Sequence, residues 1–210
     1  MMNGVINHYP QQVETIGVAT VARFSIDEEH AKMANLGALF NREPWFMRVN
    51  KGDYVKLIVD GQLMMSDTDM EKRTNRDFID NAHGRVMIAG LGIGLILENL
   101  REKIANGTVT SIVVYEKYQD VIDLVGDRYK DLPLEIRCED ILEYKPKKGE
   151  MYDTIYFDIW PTISTDNLVD MAKLHQRWKC RKPKDGWMNS WMRDHLRAMR
   201  ERERRSSYYW

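Results

Sequence analysis

Three glycines, one glutamate and one aspartate have the types and spacings from which chemistry can be read. Gly90, Gly92 and Gly94 directly follow the apolar run Val86-Met-Ile-Ala89. Glu116 ends the next apolar run, roughly 20 residues on. Asp158 ends a later one, Thr154-Ile-Tyr-Phe157. Glycines let a ligand approach the backbone closely, and free amides at a helix start favour negative or polar groups. An acid at the tip of the following strand is placed to accept both ribose hydroxyls of an adenosine. A carboxylate at a strand tip beside a nucleophilic amine can orient the amine and accept its proton. Partial desolvation would raise its pKa, which suits a base. Capping the following turn is the plainer role open to Asp158.

These residues need a β-α-β frame. Val86 to Ala89 lacks alternation, the pattern of a strand buried on both faces. A helix starts near Ile93 and stops at Asn106-Gly107, where glycine can take a left-handed cap. Val109 to Glu116 is the second strand. A helix over Tyr118 to Asp131, closed by Pro133, leads to a third strand, Leu134 to Cys138. The fourth strand is Thr154 to Phe157. Asp166 to Trp178 reads as a helix, Gly186 to Ser190 as a fifth strand, and Trp191 to about Arg205 as a basic helix.

The stretch before this frame has a different rhythm. Residues 1 to about 12 are polar and expected to be loose. Val13 to Ile26 offers a strand or two. Asp27 is an N-cap candidate for a helix reaching Phe40. Pro44 to Val49 and Tyr54 to Val59 read as strands, and Asp60-Gly61 turns the latter into Gln62 to Met65. Asp69 to Asn81 is a polar helix, and His83-Gly84 turns it into the first central strand. The division expected is a β-rich segment, 1–65, and a Rossmann-like nucleoside-binding domain, 66–210.

Composition narrows the class. The chain has 210 residues, 43% hydrophobic and 30% charged, which suits an ordinary globular protein with one sizeable core. No apolar run reaches the roughly 20 residues a membrane span needs. Met1 to Gln12 lacks the basic-then-apolar layout of a signal peptide. Cys138 and Cys180 have no partners at metal spacing, so neither a disulfide framework nor a metal site is expected, and a cytoplasmic setting is the default. The net charge is −1, yet Ala172 to Arg205 holds 12 Lys or Arg against 4 Asp or Glu. Such a basic end offers nucleic acid or another anionic partner. A solvated helix face is the favoured reading.

The Gly90-x-Gly92-x-Gly94 spacing, with Leu95 where a dinucleotide fingerprint has a third small residue, resembles the first motif of class I S-adenosylmethionine (SAM) dependent methyltransferases and of the related spermidine synthases. That resemblance covers about residues 55 to 190 at pattern level. It implies an α/β, Rossmann-like class I methyltransferase fold with a mostly parallel sheet. Here that sheet is truncated after the fifth strand, since both families add strands six and seven. It implies cofactor contacts from Gly90, Leu91, Gly92, Gly94, Glu116 and Lys117. Asp140 and Ile141 match the acid that meets the adenine amino group and the residue that covers the ring. A cap for a short helix toward Tyr144 is the other role open to Asp140.

Spermidine synthases carry a small N-terminal β-domain, a Leu-Asp-Gly strand and then an acidic stretch. This chain has Leu57-Ile-Val-Asp60-Gly61 and then Ser66-Asp67-Thr-Asp69-Met-Glu71, which makes Asp67 and Asp69 substrate-binding candidates. Trp160 and Pro161 would shape the floor or wall of the substrate pocket. Phe157-Asp158-Ile-Trp-Pro161 resembles the Tyr-Asp-x-Tyr-Pro tip of guanidino-directed methyltransferases. Spermidine synthases have a second Asp where this chain has Pro161, and a Gln where it has Met64. Ile88, two before the first glycine, agrees with them.

Three readings follow from the resemblance. One is a SAM-dependent methyltransferase acting on a small amine or similar nucleophile, with Asp158 as its catalytic residue. Another is an aminopropyltransferase using decarboxylated SAM. The last is a SAM-binding or SAM-consuming protein that is not a transferase. A small-molecule substrate is expected, with no metal. A homo-oligomer is also expected, because Trp187, Met188, Trp191 and Met192 on the edge strand, with Tyr208, Tyr209 and Trp210, are too apolar to stay wet together.

Overall fold

A computed structural model describes residues 2–41 and 43–207, the side chains of 206 and 207 excepted. Tyr208, Tyr209 and Trp210 therefore lie outside the described residues. Strand β1 (Val13–Ile16) pairs antiparallel with β2 (Ala19–Ile26). Helix α1 (Glu28–Phe40) follows, capped by Asp27, whose Oδ1 accepts the His30 amide at 2.8 Å. β3 (Gly52–Val59) and β4 (Gln62–Ser66) close a four-stranded antiparallel sheet in the order β1-β2-β3-β4. Their turn uses positive φ at both Asp60 and Gly61, the twist that suits a two-residue hairpin.

Helix α2 (Asp69–Asn81) has the bounds its sequence predicts, and β5 (Gly84–Ala89), α3 (Leu95–Ala105) and β6 (Val109–Glu116) follow. Next come α4 (Gln119–Val125), β7 (Leu134–Cys138), β8 (Thr154–Phe157), α5 (Asn167–Trp178), β9 (Trp187–Ser190) and α6 (Arg193–Ser207). The second sheet has five strands among the described residues, all parallel, in the order β7-β6-β5-β8-β9. This is the expected Rossmann-like sheet. Its strand order reverses beside β5, and ligands bind such sheets at that crevice. Val86, Met87, Ile88 and Ala89 are all buried, as the lack of alternation requires.

Three expectations fail for identifiable reasons. Residues 2–12, expected to be loose, are pinned. Val5 and Tyr9 are fully buried, the Val5 amide donates to Asp67 at 2.9 Å, and the Tyr9 hydroxyl donates to the Ile93 carbonyl at 3.0 Å. Two anchors four residues apart are too sparse to show as periodicity. Residues 44–49 form a single 3-10 turn (Trp45–Met47), not a strand. Pro44 has no N–H to give a ladder. Arg73 takes the Phe46 and Arg48 carbonyls, and the Asn35 side chain takes both the amide and the carbonyl of Val49. The helix read to Asp131 tightens at Gly126 into a 3-10 turn, which seats Tyr129 under the glycine loop.

One core runs through both sheets, joining Val21, Val55 and Leu57 to Ile88, Ile93 and Leu97. The apolar edge is also covered from within. Trp187 packs against Phe78 and Tyr156, and the Trp191 indole is buried and donates to Thr74 Oγ1 at 3.0 Å. Met188 and Met192 pack against buried clusters. These four side chains, part of the sequence argument for a second subunit, thus pack against the chain's own residues; Tyr208, Tyr209 and Trp210, the other part, lie outside the described residues.

Candidate functional site

A cavity of about 280 Å³ opens at the carboxyl ends of β5, β6, β7 and β8, under a roof from β3 and β4. That volume is at the small end of ligand sites. Its lining includes Gly90, Leu91, Gly92, Glu116, Lys117, Asp140 and Ile141, and also Asp158, Trp160 and Pro161. Ten of the predicted site residues thus meet in one cavity.

Gly90 and Gly92 need glycine for steric as well as conformational reasons. Both have positive φ, and a Cβ on Gly90 would meet the Asp158 carbonyl oxygen. A Cβ on Gly92 would meet the sulfur of Met65, which accepts the Ile93 amide at 3.4 Å. A thioether is a weak acceptor, so the amide at this helix start is only weakly satisfied. Gly94, the residue before α3, is left-handed and packs on the Tyr129 ring; it does not line the cavity.

Glu116 is buried, and its two oxygens accept the Leu91 and Tyr118 amides at 2.9 and 3.0 Å. Burial raises its pKa, and those amides oppose the rise. Each carboxylate oxygen keeps a further lone pair for a hydroxyl donor. Asp140 serves both readings. It lines the cavity, accepts the Leu142 amide at 2.9 Å, and pairs with Lys117 at 3.1 Å. Its carbonyl closes the single turn that ends at Tyr144.

Asp158 hangs from the tip of β8, where its amide donates to the Ala89 carbonyl at 2.8 Å. Its carboxyl is pushed up to about 7 by burial. Facing the same cavity is a residue that sequence reasoning missed. Glu71, on the first turn of α2, is only 8% exposed. Burial first, and then the Asp158 charge, push it up to about 8. The spacing Glu71, Asn75, Phe78 (i, i+4, i+7) marks it as part of the buried helix face, and this was the available signal.

The two acids chosen from that segment lie elsewhere. Asp67 is buried and spends its oxygens on the Val5 and Val55 amides at 2.9 and 2.7 Å. Asp69 faces Asn50 and Lys72. Neither lines the cavity. Trp191, expected at an exposed edge, is part of the cavity wall, as are Met64 and Met65.

Among the described residues, no helix is long and apolar enough to cross a membrane, and no group of three or more His, Cys, Asp or Glu could hold a metal ion. No family model matches the chain, and no curated protein matches it. Solved structures do match. A SAM-dependent methyltransferase of Leishmania major aligns at 16% identity and TM-score 0.43, over 57% of this chain and 48% of its own. A methyltransferase of Podospora anserina, bound to S-adenosylhomocysteine, aligns at 14% and 0.46, over 80% and 63%. A SAM-dependent methyltransferase of Clostridium acetobutylicum aligns at 14% and 0.37, over 56% and 46%. The chain therefore spans about half to two thirds of the length of these structures.

Proposed function

We propose that this chain transfers the methyl group of SAM to a small amine or similar nucleophile. One observation carries the reading: a single cavity is lined both by Gly90, Gly92, Glu116 and Asp140, of nucleoside-binding type, and by two further acids and two indoles, Glu71, Asp158, Trp160 and Trp191. SAM supplies an electrophilic methyl on a sulfonium. Glu116 accepts the ribose hydroxyls, and Asp140 with Ile141 borders the adenine.

Glu71, Asp158, Trp160 and Trp191 surround the acceptor. Among the described residues, Lys117 is the one lysine or arginine lining the cavity, and it pairs with Asp140. Two carboxyls therefore face the acceptor, and they favour a ligand that brings N–H donors. The indole faces add cation–π attraction of about 0.5–2 kcal/mol each. Asp158, raised toward neutrality by burial, is suited to accept the proton that the amine sheds.

Incubation with SAM, and separately with decarboxylated SAM, across a panel of small amines and guanidines tests the proposal. A product heavier by one methyl, formed from SAM, supports it. A product heavier by an aminopropyl group would favour the second enzyme reading. Breakdown of SAM without an acceptor product would favour the third.

A further inference from the structure

The basic C-terminal helix has no part in the transfer chemistry, yet it builds a site of its own. Leu196 and Met199 of α6, with Met192 just before it, pack on Leu168 and Met171 of α5. One residue further round lies a stripe, Arg193, Arg197, Arg200 and Arg204, at i, i+4, i+7 and i+11. With Leu168, Ala172 and Glu201 these four line a groove of about 450 Å³ along the α5–α6 seam.

This stripe is costly to the free protein. Like charges at i, i+4 repel, and arginine in the first turn of a helix faces the positive end of its dipole. Among the described residues Arg193, Arg197 and Arg200 have no hydrogen bond or ion pair. Glu201, the acid in the groove, is also engaged by Arg205 at 2.5 Å. The field of the arginines, opposed only in part by Asp194, reaches across to α5. Burial, and behind it Arg193 and Arg197, push His175 down to about 4. Burial and Arg197 also lower the Arg193 guanidinium.

We propose that this groove binds the phosphate backbone of a nucleic-acid chain, without preference for sequence. Guanidinium groups take phosphate oxygens in bidentate pairs. At ~1.5 Å per residue the four arginines are spread along about 16 Å, a row of regularly spaced cations suited to a regularly spaced anion. Among the described residues that line the groove none is aromatic, and its guanidinium groups are suited to the phosphates rather than the bases. Its aliphatic lining is Leu168 and Ala172, too little to anchor an acidic peptide by its side chains. The inference is independent of the transfer reading, since none of these residues lines the other cavity.

Fluorescence anisotropy with a labelled mixed-sequence single strand, its duplex and a labelled polyglutamate tests it. The full chain should bind the oligonucleotides and prefer them to polyglutamate. Its log–log salt slope on the single strand should be about −2 or steeper, with Arg193, Arg197 and Arg200 taking phosphates at ~0.7 each. Arg197→Gln/Arg200→Gln changes two exposed residues. It should make that slope shallower by about 1.4 and weaken binding roughly 20-fold near 0.1 M salt. Lys147→Gln/Lys148→Gln removes the same charge from an exposed loop and should bind like the parent. If the arginine double variant does not fold, Arg200→Gln alone should still give a shallower slope and several-fold weaker binding. The inference is overturned if the parent binds no oligonucleotide, if the arginine variants match it, or if polyglutamate binds equally well.

Discussion

Glu71 and Asp158 reach one cavity from opposite sides, from the first turn of α2 and the tip of β8, and the Asp158 charge raises the proton affinity of Glu71. Both carboxyls hold protons more tightly when folded than when unfolded. Their contribution to stability is therefore complete below the ordinary carboxylate range and is lost as pH rises through about 7 to 8. Thermal melts should show the parent losing stability between about pH 4 and 8, and Glu71→Gln losing less. Parallel melting curves for the two proteins would mean that Glu71 is not buried as a proton-holding acid.

Asp158→Asn keeps the shape of the side chain and removes the base. Cofactor affinity should stay within a few-fold, while turnover falls by ~10²–10⁴. Parent turnover should rise with pH through about 7 as Asp158 ionises. Unchanged turnover in the variant would reduce Asp158 to a cap of the turn at Ile159.

Asp67 behaves as a strut. Asp67→Ala leaves two buried backbone amides without partners, those of Val5 and Val55. The loss should be roughly 2–4 kcal/mol in denaturant unfolding, with little change in turnover per folded molecule. A stable variant with weakened substrate affinity would return Asp67 to the site.

The β-α-β frame was legible because its signals are local. Val86 to Ala89 is apolar throughout, Gly107 stops α3 in a left-handed conformation, and α2 has its predicted bounds. Gly90, Glu116 and Asp158 sit at strand tips, so finding the strands located them. What stayed hidden depends on distant partners. Tyr9 is fixed by Ile93, Asp67 by Val5, and residues 46–49 by Arg73 and Asn35. Glu71 was hidden differently. Among three acids in one short segment, only the buried face of α2 tells which points inward, and the resemblance singles out Asp67 and Asp69 without that information.

Calorimetric titration of SAM and S-adenosylhomocysteine into the parent and into Glu116→Ala tests the central claim most directly. Two charge-assisted hydrogen bonds to the ribose, at ~1.5–3 kcal/mol each, predict binding by the parent and a loss of a hundredfold or more in a variant that melts as a folded protein. Equal affinity in the variant would remove Glu116 from the site, and a parent that binds no adenosine compound would contradict the account as a whole.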